Sequence, residues 1–262
     1  MKRIAFMVIV CVIALAFSQA RREPAAMPAE FAAPEEDTTV PSLARISFDS
    51  DNFDFGFAPQ GDAYLVHYFK VKNVGEDTLR IDRVRPTCGC TAAPLKKKDL
   101  APGESSEIGA IFRLSGYKSA TSKSIKVESN DPTHKTMNLR FSANMDTAAW
   151  LDAMQGPRLL CEPTIIDLGK GDLFKGTAKF VIRNPSDKKL KVEIIDYTGD
   201  IITTPKIKMP ELKAGKSADV EIAVLKEYDP TSEIKASITL AGLDDSGSEV
   251  TRFTVPIIGG GK

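Results

Sequence analysis

The chain repeats itself at long range. Phe53-Asp54-Phe55-Gly56 is echoed by Ile166-Asp167-Leu168-Gly169, and Phe69-Lys70-Val71-Lys72-Asn73 by Phe180-Val181-Ile182-Arg183-Asn184. Leu79-Arg80-Ile81 returns as Leu190-Lys191-Val192, Pro102-Gly103 as Ala214-Gly215, and Ile125-Lys126-Val127 as Ile238-Thr239-Leu240. The offset stays between 111 residues (Asn73 to Asn184) and 113 residues (Gly56 to Gly169). A period this long and constant implies a duplicated domain of roughly 100 residues, not a short-period solenoid.

Each copy reads as a succession of short strands. Tyr64 to Asn73 alternates, with Leu65, His67, Phe69 and Val71 on one face and Tyr64, Val66, Tyr68 and Lys70 on the other. Period-two alternation marks a half-buried strand. Turn signals separate the strands at Asn73-Val74-Gly75-Glu76-Asp77, Ala101-Pro102-Gly103-Glu104 and Asn130-Asp131-Pro132. About seven such strands per copy, with almost no helical periodicity, predict an all-β fold. The expected architecture is two tandem immunoglobulin-like β-sandwich domains over residues 45–145 and 158–259, with 260–262 as a tail. Residues 146–157 join them. There Asp146 can cap a short helix over Thr147 to Met154, with Trp150, Leu151 and Met154 on one side.

Before the first copy stand two segments of different composition. Lys2 and Arg3, the uncharged run Ile4 to Phe17 and the small residues of Ser18-Gln19-Ala20 predict a secretory signal peptide over residues 1–20. The run is shorter than the ~20 residues that a membrane-spanning helix needs, so no span is expected after cleavage. Residues 21–44 carry Pro24, Pro28, Pro34 and Pro41 among Ala and Glu, a composition expected of an extended linker. The protein is thus expected to be exported, to the periplasm or beyond the cell. Lys and Arg balance Asp and Glu at 35 each, which leaves no basic footprint for nucleic acid.

The first copy resembles a bacterial family catalogued as domain of unknown function 1573. The resemblance rests on Phe53-Asp54-Phe55-Gly56, Phe69-Lys70-Val71-Lys72-Asn73-Val74-Gly75 and Leu79-Arg80-Ile81. It continues through Val84-Arg85-Pro86-Thr87-Cys88-Gly89-Cys90-Thr91, Pro102-Gly103-Glu104 and Val127-Glu128-Ser129-Asn130-Asp131, with Cys-Gly-Cys-Thr as the specific element. It implies a relation to Hydin-like and major-sperm-protein-like immunoglobulin folds, whose members are mostly interaction or structural modules. It implies no activity. The second copy keeps a turn at Asn184-Pro185-Ser186-Asp187 and has no cysteine pair.

Cys88-Gly89-Cys90 is the chief candidate site. Export takes Cys11 away with the signal and leaves Cys88, Cys90 and Cys161 in a disulfide-permissive space. Three readings stay open for the pair. It can be a local disulfide or two quiet thiols pinning a loop. It can bind a soft metal such as copper(I), with His67 as a further ligand if Asn73 to Thr78 form a simple hairpin that sets residue 67 beside residue 85. It can exchange disulfides, although it lacks the Cys-x-x-Cys spacing at a helix N-terminus that lowers a thiol pKa. His67 otherwise reads as a hydrogen-bonded core residue, and His134 as a solvated turn residue. Lys96-Lys97-Lys98 reads as an exposed face, with contact to an anionic partner as the alternative. No Gly-x-Ser-x-Gly elbow and no His-Glu-x-x-His helix is present. Gly215-Lys216-Ser217 has Pro210 where a phosphate loop needs glycine, and reads as a turn. The expectation is a non-enzymatic interaction or structural module with a protein partner and no cofactor; the alternative is a thiol site at Cys88 and Cys90.

Overall fold

The computed structural model describes residues 42–145 and 159–261. The expected signal peptide, the linker up to residue 41, the expected helix at 147–154 and Lys262 lie outside the described residues. The first half holds nine strands: β1 (Ile46–Phe48), β2 (Asn52–Phe57), β3 (Tyr64–Asn73), β4 (Leu79–Pro86), β5 (Thr91–Ala92), β6 (Asp99–Leu100), β7 (Ser105–Arg113), β8 (Ala120–Ser129) and β9 (Thr136–Asn144). One sheet runs β1-β3-β7-β5, and the other β6-β4-β8-β9-β2. Between them lies a core in which Leu65, Phe69 and Val71 of β3 and Ile108 and Phe112 of β7 meet Phe55, Ile81, Ile125, Val127, Leu139 and Phe141 of the opposing sheet. Alternation along β3 puts these side chains inward, which makes this a two-sheet sandwich.

The second half repeats this plan strand for strand: β10 (Leu160–Glu162), β11 (Ile166–Asp167), β12 (Thr177–Arg183), β13 (Leu190–Tyr197), β14 (Lys206–Ile207), β15 (Glu211–Leu212), β16 (Ser217–Ala223), β17 (Glu233–Leu243) and β18 (Glu249–Gly260). Its small sheet is β10-β12-β16-β14; β15-β13-β17-β18 form the other, with β11 parallel to β18. A second core gathers Phe180, Ile182, Val220, Ile222, Ile238, Leu240, Val255 and Ile257.

The repeated asparagine has the same task in both halves. Asn73 and Asn184 are fully buried. The Asn73 amide donates to the carbonyls of Asp77 (2.8 Å) and Leu100 (2.9 Å). That of Asn184 donates to Lys188 (2.6 Å) and Leu212 (3.0 Å). Each side-chain oxygen accepts the backbone N–H two residues on, from Gly75 and Ser186. One side chain thus satisfies the turn between two sheets that backbone pairing cannot reach. The repeated glycine is equally specific. Gly56 and Gly169 have φ of +67° and +77°, and each donates its N–H to the aspartate two residues earlier, Asp54 or Asp167. A Cβ on Gly56 would sit 2.4 Å from the Arg252 carbonyl oxygen, and one on Gly169 2.3 Å from that of Leu173.

The described residues just before Arg45 are already tied to the first half: Ala44 is buried, the Leu43 N–H donates to Asp77, and the Glu76 N–H donates to the Leu43 carbonyl. At the other end β18 runs through Gly260, whose N–H donates to the Gly169 carbonyl, so the tail shortens. Asp131, at the β8–β9 turn, ties the start of the chain down. Its buried carboxylate accepts from the N–H groups of Ile46, Thr133 and His134 and from the Thr133 hydroxyl. Burial alone would raise its pKa, but these donors outweigh burial and hold it below the ordinary aspartate value.

The halves do not hang apart as beads. Phe57 of β2 pairs in parallel with Phe253 of β18, which merges the two larger sheets into one of ten strands. The outer face of β17 then covers an edge of the first half. β1 pairs with β3 only at Val71 to Asn73, so the earlier part of β3 has an open side. There the Val66 N–H donates to the Ser237 hydroxyl (2.9 Å), which donates in turn to the Val66 carbonyl (3.1 Å). Thr254 donates to the Phe55 carbonyl (2.6 Å), so the Thr239 hydroxyl, 2.9 Å away, donates to Thr254. Ser237, Thr239 and Thr254 are all buried.

Asn184→Ala strips the side-chain donor from the buried Leu212 carbonyl and from the Lys188 carbonyl, which keeps the Ser186 hydroxyl, an expected loss of about 1–3 kcal/mol. Urea unfolding of the variant checks this; a loss under about 0.5 kcal/mol, the level of an ordinary surface substitution, would contradict the assigned role.

Candidate functional site

Cys88 and Cys90 lie in the connection from β4 to β5, between the two sheets of the first half. They are joined by a disulfide with Cα atoms 5.3 Å apart, inside the usual range. Both are partly exposed, and the space where a Gly89 Cβ would point is open to beyond 4 Å. The flanks of the loop are fixed. The Thr87 N–H and hydroxyl both donate to the Ser124 carbonyl (3.0 and 3.1 Å), and the Arg113 N–H donates to the Cys90 carbonyl (3.0 Å). Thr91 pairs with Phe112 of β7 and is buried. Its hydroxyl oxygen lies 3.5 Å from the Cys88 sulfur and 3.9 Å from that of Cys90.

A bridge across three residues removes little freedom from the unfolded chain. The loop-entropy relation gives about 1.6 kcal/mol for it, roughly half the value for a 15-residue loop. The second half meets the same connection without cysteine: the N–H groups of Ile201 and Ile202 both donate to the Thr198 carbonyl. The bridge is therefore a weak staple, at a connection whose longer counterpart in the second half has no cysteine.

His67 stands away from the cysteines. β3 and β4 belong to different sheets, so the hairpin that would set residue 67 beside residue 85 does not form; His67 faces Ala110 of β7 instead. β5 flanks the other side of β7, so two strand spacings, about 10 Å, separate the His67 backbone from the strand that follows Cys90. The imidazole stacks on Phe53 with ring centroids 3.7 Å apart, and its Nδ1 is 2.7 Å from Asp196 Oδ2 of β13. Among the described residues no three His, Cys, Asp or Glu side chains converge on a metal-sized site. The set Cys88, Cys90 and His67 is thus not assembled. Cys161 is also remote in role: it is buried in the second core opposite Ile182, and burial pushes its thiol pKa up. His134 is largely exposed beside Thr133 and Asp131.

The lysine run is partly spent within the molecule. Lys96 pairs with Glu107 (2.7 Å) and Asp200 (3.7 Å) and lies over the Tyr68 ring, while Lys97 pairs with Glu104. The Tyr68 hydroxyl donates to Asp200 (2.9 Å), and burial together with that carboxylate pushes the phenol pKa up. Asp196, Asp200, Ser237 and Thr254 were not singled out in the sequence. A signal for the covered face exists all the same. Ser124, Lys126 and Glu128 of β8 correspond to Ser237, Thr239 and Ala241 of β17, and the loss of charge at the last two positions marks a face that is covered.

The double variant Cys88→Ser, Cys90→Ser is expected to stay folded and to lose no more than about 2 kcal/mol in urea unfolding. A loss above about 3 kcal/mol would make the bridge a structural staple after all.

Among solved structures, the chain is similar to a protein of unknown function from Porphyromonas gingivalis W83. The identity is 19%, over 81% of this chain and 99% of that one, with a TM-score of 0.30. It is similar to the E. coli chaperone DraB at 10% identity, over 82% of this chain and 98% of that one, with a TM-score of 0.32. The VesB protease of Vibrio cholerae matches at 14% identity over 38% of this chain and 31% of that one, with a TM-score of 0.33. Likeness at this level says nothing about chemistry. No curated protein matches the chain. The resemblance read in the first half is matched by a family model: residues 46–145 fit that of the family described as protein of unknown function (DUF1573).

Proposed function

We propose that the protein is an exported, non-enzymatic module of two tandem immunoglobulin-like domains that binds another protein. The observation that carries this reading is where the molecule spends its reactive polar groups. His67 and Asp196, Tyr68 and Asp200, and Ser237 and Val66 all meet across the join between the halves. They hold two sandwiches at a fixed angle and leave the loops at the outer ends to meet a partner. Sandwich loops and edges are common binding surfaces. Export rests on the charged start, apolar run and Ser18-Gln19-Ala20 of the first twenty residues.

Two measurements test the reading. N-terminal sequencing of the protein recovered from the exported fraction is expected to start at Arg21. Crosslinking in that compartment, followed by affinity recovery of the tagged chain, is expected to capture the same protein partner in repeated preparations. Retention in the cytoplasm with an intact first segment would overturn the export claim. Recovery of the chain alone, with no partner and no second copy, would overturn the binding claim.

A further inference from the structure

We propose that the Cys88–Cys90 bridge is a reversible thiol–disulfide exchange site. Its reacting partner is a dithiol on a protein or peptide, and Thr91 is the hydrogen-bond donor to the sulfur that leaves. This goes beyond protein binding, because it assigns a reaction to one loop.

Four observations converge. Access comes first: both cysteines are partly exposed, and the side of the loop at Gly89 is unobstructed. The loop is also held at both ends, by Thr87 on Ser124 and by Cys90 and Thr91 on β7. Two freed thiols would therefore stay close enough to close again. Thirdly, the bridge closes a loop of only three residues and is a weak staple, and the second half makes its equivalent, longer connection through Thr198 without cysteine. Opening it costs the sandwich little. Lastly, Thr91 is a buried hydroxyl within 3.5 Å of one sulfur and 3.9 Å of the other. A neutral disulfide gains little from that donor, whereas a thiolate gains a charge-assisted hydrogen bond.

A partner thiolate attacks the Cys90 sulfur and forms a mixed disulfide. The Cys88–Cys90 bond breaks, and its electron pair stays on the Cys88 sulfur, the one nearer to Thr91. The partner's second thiolate then attacks its own sulfur in the mixed disulfide and releases Cys90. The two thiolates take up the two protons that the partner thiols gave to solvent. The bridge has gained two electrons and the partner has become a disulfide; the reverse course oxidises the chain.

Cys161 supplies an internal control, because its thiol is reached only if the second core opens. The full mature chain is incubated with a synthetic peptide dithiol, quenched with acid, alkylated and weighed by mass spectrometry. The expected result is alkylation of Cys88 and Cys90 with Cys161 untouched, and closure of the bridge on addition of the oxidised peptide. Thr91→Val is expected to slow the opening by about tenfold, the rate equivalent of one lost hydrogen bond to a charged group, while Thr91→Ser stays near the parent rate. Thr91→Ala serves as the second hydroxyl-free variant if valine perturbs the core. Either of two results overturns the proposal: a bridge that opens only when Cys161 is labelled too, or a rate unchanged without the Thr91 hydroxyl.

Discussion

The architecture depends on what happens at one open strand edge. Beyond Val71, toward its N-terminal end, β3 has no strand on its outer side. An edge of this kind invites pairing with any other chain. Here the second half closes it with side chains: Ser237 acts as both acceptor and donor for Val66, in place of a neighbouring strand's backbone. Because Ser237 belongs to β17, that contact sets the outer face of the second half's larger sheet against the first half. The Thr254 bond to Phe55 and the approach of Arg252 to Gly56 lie along the same face, and the Phe57–Phe253 pairing joins the two sheets at the adjoining edge.

The duplicated parts and the changed parts divide the labour. Asn73 and Asn184, and Gly56 and Gly169, do the same geometric work in both halves, so the repeat reads directly as structure. Where the halves differ, the difference has a physical cause. β8 keeps Lys126 and Glu128 as an exposed ion pair, whereas β17 carries Thr239 and Ala241 because a partner surface covers them. Likewise, only the first half carries the cysteine bridge, over a connection that the second makes with hydrogen bonds at Thr198 and between Tyr197 and Thr204.

This explains what the sequence revealed and what it hid. Strand alternation in β3, the turns after Asn73 and Asn184, and the register of the repeat were legible because they are local. The β3–β4 connection was not: a turn at Asn73 to Thr78 looks the same whether it returns within a sheet or crosses to the other. That ambiguity is what placed His67 near Cys88 in prospect, when its true neighbours are Phe53 and Asp196, the latter 129 residues away. The pairs across the join were hidden for the same reason, since each links residues more than 120 apart. Cys88-Gly89-Cys90 was conspicuous, and yet Thr91, one residue on, is the group that gives the sulfurs a donor.

If the covered edge is the central constraint, the two halves must open together. Native-state hydrogen exchange across a urea series measures this at single amides. The Val66 amide, held by Ser237, and the core amides of β8 and β17 are expected to exchange with one common free energy of opening. A Val66 amide that opens several kcal/mol more easily than β8 and β17 would contradict it, and so would halves that unfold in two separate steps.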